Sequence, residues 1–222
     1  MTQPPEAGTA AAATAEAGGA FHIIDLSVLI DEDLPCYWPT HIPFQHKTWN
    51  WFVDRDTQAG PLSGRLGPYT TRWMVIDEHT GTHFDAPAHF LPPPGSGVEH
   101  EHPLGATTSE QIPLSRFTGR PRVMDVRRLV GSSGPGESPL VDAAQVRAWE
   151  AEAGELRPGD VLLLRCDWDE RYVAGPAGMA YAHEPFLTRT IPAWPAPTPD
   201  MVLHIADRGV RCLGTDAPSI GP

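Results

Sequence analysis

His79-Thr80-Gly81-Thr82-His83-Phe84-Asp85-Ala86-Pro87-Ala88-His89-Phe90 carries three of the chain's ten histidines and a carboxylate. The run before it, Arg72-Trp73-Met74-Val75-Ile76-Asp77, is rich in aromatic and branched residues and reads as a strand. His79, Gly81, His83 and Asp85 are all odd-numbered, so in extended chain they share one face. Along a strand His83 and Asp85 lie about 6.6 Å apart, close enough to converge on one ion, whereas His79 and His83 lie about 13 Å apart. The chain must therefore bend between the histidines, and Gly81, free to take positive φ, is the place. Pro87 fixes a second turn that returns His89 toward the group. A helix with histidines at i and i+4, as in zinc proteases, is disfavoured by Gly81 and the two threonines, and the protease glutamate is absent.

Two neutral imidazoles and a carboxylate suit zinc, manganese or iron(II). His79, His83 and Asp85 are thus candidate metal ligands. Three protein ligands leave a position open for water, the arrangement of catalytic rather than structural sites. The plainer alternative is a polar loop of hydrogen-bonded histidines that holds no ion.

The stretch resembles the signature of the metal-dependent cyclase family, which includes bacterial kynurenine formamidases and isatin hydrolases. The family pattern is His-x-Gly-Thr-His-x-Asp-x-Pro-x-His, and the chain matches every fixed position. A looser likeness runs from Ile24-Asp25-Leu26-Ser27 to Gly214-Thr215-Asp216-Ala217-Pro218-Ser219. The resemblance implies an α/β fold of the swivelling β/β/α type and a divalent metal, zinc or manganese. It implies arylformamidase chemistry, N-formylkynurenine to kynurenine, or else opening of an isatin-type or lactone ring. A non-catalytic member that binds metal or a small ligand is the rival from another class. The family's last histidine, here His89, is implied as a catalytic acid or base. It lies beyond Asp85 across a proline and can face the open position; the alternative is a histidine that only orients a ligand. The family also has a later histidine and glutamate that help hold a second metal, with the motif's aspartate bridging. Neither His183 with Glu184 nor His204 matches them, so the active site is expected to be incomplete; a fragment lacking a C-terminal segment is the favoured expectation, and the alternatives are a partner chain that supplies the missing groups and a one-metal or inactive variant.

The 222 residues have room for one domain with a real core. Residues 1–20, mostly Ala, Gly, Thr and Glu, read as a disordered tail, and 21–222 as a cyclase-like metal hydrolase domain. With 28 acidic against 16 basic residues the net charge is −12, which argues against nucleic-acid or anionic-membrane partners. Cys36, Cys166 and Cys212 are widely spaced and form no metal knuckle, which points to a reducing cytoplasm; Cys166 and Cys212 sit in apolar strand patterns and read as buried, inert thiols rather than nucleophiles. A small aromatic substrate and a homodimer or higher homo-oligomer are the expected partners. Leu34-Pro35-Cys36-Tyr37-Trp38-Pro39 and Trp49, Trp51 and Phe52 make the first half unusually aromatic. Trp38 and Trp51 are candidates for a wall on which a flat substrate stacks, or else for a core clamp. His100 and His102 sit in an acidic surface run.

Strands are expected at 21–28, 122–126, 161–165 and 210–214. Helices are expected from Asp142 to Gly154 and from Thr198 to Gly209, each with a capping residue and a glycine stop. Residues 54–71 read as a loop. Val161-Leu162-Leu163-Leu164-Arg165 reads as a strand buried on both faces. The chain contains no nucleophile elbow, phosphate loop or dinucleotide fingerprint.

Overall fold

Val161–Arg165 is the middle strand of the largest sheet in the computed structural model, which describes residues 15–17 and 21–221. In chain order the strands are β1 (Ala15–Ala17), β2 (Phe21–Ile23), β3 (Gln45–Asn50), β4 (Arg55–Thr57), β5 (Gly60–Leu62), β6 (Thr71–Val75), β7 (Pro121–Asp125), β8 (Leu140–Val141), β9 (Val161–Arg165), β10 (Ala196–Pro197) and β11 (Cys212–Thr215). The α-helices among the described residues are α1 (Pro87–Phe90), α2 (Ala143–Ala153) and α3 (Pro199–Asp207).

The sheet runs β7–β9–β11, all parallel, with Val123 and Gly214 on either side of Leu163. Parallel neighbours need crossovers, and α2 and α3 lie in the two connections. Leu162 and Leu164 are buried in a core shared with Met124, Val146, Met201 and Ile205, so both helices pack on one face. On the other face Val161 and Leu163 are half-buried and Val123 is exposed. The run of apolar residues is therefore buried on one face, not two.

The helix ends follow their capping residues. The Asp142 side chain accepts the Gln145 N–H at 2.8 Å while the Gln145 side chain accepts the Asp142 N–H at 2.8 Å, a reciprocal capping box. Gly154 (φ 86°) ends α2 and Gly209 (φ 74°) follows α3, both in the left-handed region open to glycine. The two helices are clamped by Glu150, buried on α2, which accepts from His204 Nε2 of α3 at 2.8 Å and from the Leu156 N–H at 2.9 Å.

The other buried carboxylate, Asp160, leads into β9. It receives both arms of the Arg120 fork at 2.8 and 2.7 Å and the Arg157 N–H at 2.9 Å. Those bonds, Arg120's first, outweigh burial and hold its carboxyl below the usual carboxylate range. A depressed folded pKa gives stability that is present above the unfolded value, about 3.9, and lost as pH falls through the folded one. Acid unfolding should therefore steepen below about pH 4, and Asp160→Asn should flatten that slope while lowering the melting temperature at neutral pH. Parallel curves for variant and wild type would contradict this role.

The first half is built of antiparallel pairs, β3 with β6 and β4 with β5. The β4–β5 hairpin lies where a loop is expected; Arg-Asp-Thr and Gly-Pro-Leu carry almost no strand signal, and pairing across Thr57 and Gly60 decides it. Ala15–Ala17 pairs with Phe21–Ile23, and the rest of the expected tail lies outside the described residues. The strand expected at 21–28 ends at Ile23 as β2, and the chain beyond it ties to the motif loop, the Val28 N–H donating to Thr82 Oγ1 at 3.0 Å. No helix among the described residues is long and apolar enough to cross a membrane.

Candidate metal site

Strand β6 delivers the chain to a loop that Asp77 organises. Asp77 Oδ1 accepts the His79 N–H at 2.9 Å, and the Thr80 N–H returns to the Asp77 carbonyl at 3.0 Å. The bend falls at Gly81, with φ +64°. Its N–H donates to the Cys36 carbonyl at 2.7 Å, and a Cβ there would sit 2.6 Å from Ile30 Cγ2. Gly81→Ala should lower stability by about 1–3 kcal/mol, read from the denaturant midpoint. Gly95→Ala also meets a positive φ, +82°, but in open space, and should show only the backbone part of that loss.

The bend closes the gap that a straight strand would leave. His79 Nδ1 lies 3.2 Å from His83 Nε2 and 3.0 Å from Asp85 Oδ1, and the third side of the triangle is 3.7 Å. Zinc-type bonds of about 2.0–2.2 Å at tetrahedral angles set neighbouring ligand atoms about 3.3–3.6 Å apart. The three residues therefore fit one divalent ion. His83 Nδ1 lies 2.7 Å from the Gly81 carbonyl, so it donates there and leaves the Nε2 lone pair facing the triangle. Burial pushes the His79 imidazole below its ordinary pKa, against the pull of Asp85, which favours the neutral ring a ligand needs.

Ala86 ends the extended stretch, and Pro87 opens the single turn of α1. His89 comes back toward His79 after the Pro87 turn, its ring 4.3 Å from that of His79 and its Nδ1 3.8 Å from Glu78 Oε1. His79 Nε2, on the edge opposite the triangle, is buried without a hydrogen-bond partner.

Residues that sequence reading missed surround the motif. His41 Nδ1 lies 3.1 Å from Asp77 Oδ1, and its ring is 5.1 Å from that of His79. Nothing in the spacing of His41 announces this; Asp77 and Glu78 could have been found as carboxylates flanking a ligand histidine. His41–Asp77–His79 and Glu78–His79–His89 are further groups near enough to hold an ion. Among the described residues, His79–His83–Asp85 is the group whose three pairs all lie at 3.0–3.7 Å.

The remaining candidates are placed as follows. Trp38 packs on the core, 4.5 Å from Phe186 and 6.3 Å from Trp194, while its carbonyl accepts the His41 N–H. Trp51 is half-buried, meets Phe52 at 5.2 Å, and is tied by its N–H to the Ser63 carbonyl. The structure thus joins Trp38 to the site through the backbone and gives Trp51 an aromatic partner on its own strand end. His100 is exposed, and His102 Nδ1 accepts the Leu104 N–H. All three cysteines are free, and the buried Cys166 thiol, raised in pKa by burial, donates to Asp216 at 2.8 Å.

The Cyclase family model matches residues 24–222. The chain belongs to the cyclase family. It is similar to an isatin hydrolase of Roseibium aggregatum, 32% identical over 161 residues that cover 70% of this chain and 55% of that protein. A kynurenine formamidase of Salinibacter ruber is 26% identical over 185 residues, 83% of this chain and 64% of that one. The matches thus span little more than half to under two thirds of those two relatives. Among solved structures, an isatin hydrolase bound to the product analogue thioisatinate superposes with a TM-score of 0.64 at 22% identity, over 89% of this chain and 68% of that one. A novel cyclase gives 0.56 at 20% identity, over 88% of this chain and 65% of that one. This cyclase-family chain therefore has the α/β fold those structures share, as the motif implied.

Proposed function

We propose that this protein is a metal-dependent hydrolase of amide bonds attached to an aromatic ring. Its candidate substrates are an aryl formamide of the N-formylkynurenine kind and a cyclic amide of the isatin kind. The triangle of His79 Nδ1, His83 Nε2 and Asp85 Oδ1 carries the reading. A divalent ion, zinc or manganese, supplies Lewis acidity and makes water nucleophilic near neutral pH. The chain's residues do the rest. His79, His83 and Asp85 hold the ion, and the Gly81 carbonyl fixes the tautomer of His83. Hydrolysis adds water to the carbonyl carbon, breaks the C–N bond and needs a proton delivered to the leaving nitrogen. His89, an imidazole that can both give and take a proton, lies beside the ligand His79 and suits that transfer.

The cyclic amide is the second reading, favoured by the 32% identity to an isatin hydrolase. The unpaired thiols fit a reducing cytoplasm. The test is turnover of N-formylkynurenine, formanilide, isatin and an aryl lactone by the zinc- or manganese-loaded protein, with ethylenediaminetetraacetate-stripped protein as control. The reading expects metal-dependent hydrolysis of at least one amide. Bound metal with no turnover would make the protein a binding module instead.

A further inference from the structure

The two ligand imidazoles are not equally anchored. A histidine that coordinates through one nitrogen carries its proton on the other, and that proton needs an acceptor. His83 has one, the Gly81 carbonyl at 2.7 Å. The His79 side chain is only 9% exposed, yet its Nε2 has no hydrogen-bond partner. Glu78 Oε1 stands 3.7 Å from that nitrogen and 3.8 Å from His89 Nδ1. The other nearby carboxylates are engaged elsewhere: Asp77 accepts from the His79 N–H and faces His41, and Asp85 faces the Nδ1 edge.

We propose that Glu78 is the positioning residue of this site, its carboxylate taking the Nε2 proton of His79 and holding His89 on its other side. The inference rests on the reading that His79, His83 and Asp85 bind a divalent ion. Glu78 is 77% exposed, so its side chain can turn from 3.7 Å to hydrogen-bond distance without moving the backbone. A carboxylate behind a ligand imidazole fixes the ring and makes it a better donor to the ion. Because the same oxygen faces His89, Glu78 also sets the distance between the metal ligand and the proposed proton-transfer group.

The experiment is competition of zinc against a chromogenic chelator for the wild type, Glu78→Ala, Glu78→Gln and a control, Glu99→Ala. Glu99 is as exposed as Glu78 and also lies beside a histidine, 3.5 Å from His100. Glu78→Ala should weaken zinc binding about 10–100-fold. Glu78→Gln should fall between it and the wild type, because its amide oxygen still accepts but carries no charge. Glu99→Ala should match the wild type. Melting temperatures without metal should agree across all four proteins, which separates positioning from folding. Zinc bound by Glu78→Ala as tightly as by the wild type overturns the role of Glu78 and leaves the triad standing. A wild type that binds no zinc overturns the triad and this inference together.

Discussion

His83→Ala should lose its metal and, with it, all metal-dependent hydrolysis. His83 Nε2 is one corner of the ligand triangle, and His79 and Asp85 alone, 3.0 Å apart, make a poor chelate. Loss of a supporting residue behind a ligand costs about 10–100-fold in affinity, so loss of the ligand itself should exceed about 100-fold. The fold should survive: His83 is partly exposed, and the hydrogen bonds that shape the loop run through Asp77, Thr80, Thr82 and Gly81. Elemental analysis after dialysis, with circular dichroism and melting temperature unchanged, is the check. A folded His83→Ala protein that keeps its metal would remove His83 from the site.

His89→Ala should behave in the opposite way, keeping its metal and losing turnover. A positioned proton-transfer group contributes about 10²–10⁴-fold. The drop should appear in kcat for an amide substrate, with zinc affinity within a few-fold of the wild type. The geometry makes this a demanding test, because the His89 ring lies tilted 4.3 Å from that of His79 and its Nδ1 faces Glu78. A histidine that merely supported His79 would, on removal, weaken metal binding and leave the metal-saturated kcat nearly unchanged. Titrating zinc to saturation before each kinetic run separates the two roles.

Much of this was legible in the sequence, and the reasons are local. Period-two spacing put His79, His83 and Asp85 on one face, and the distance between the histidines required the bend that Gly81 makes at φ +64°. Asp142 and Gly154, and Thr198 and Gly209, mark helix ends through their own hydrogen bonds and φ angles, so those bounds were readable to within a residue or two. What escaped depends on contacts distant in sequence. His41 reaches the site because the Cys36 carbonyl is held by the Gly81 N–H, a pairing that no pattern encodes. The one-sided burial of β9 reflects both crossover helices packing on the Leu162 face, a choice of topology rather than of composition. Trp38 and Trp51 look alike in the sequence, yet one joins the core and the other ends a strand.

The central claim is that one divalent ion sits between His79 Nδ1, His83 Nε2 and Asp85 Oδ1. X-ray absorption spectroscopy of the zinc-loaded protein tests it directly. The account predicts a shell containing two imidazole nitrogens and a carboxylate oxygen at about 2.0–2.2 Å, losing one imidazole in His83→Ala protein forced to take up zinc. A sulfur shell, or an imidazole count that His83→Ala leaves unchanged, would contradict it.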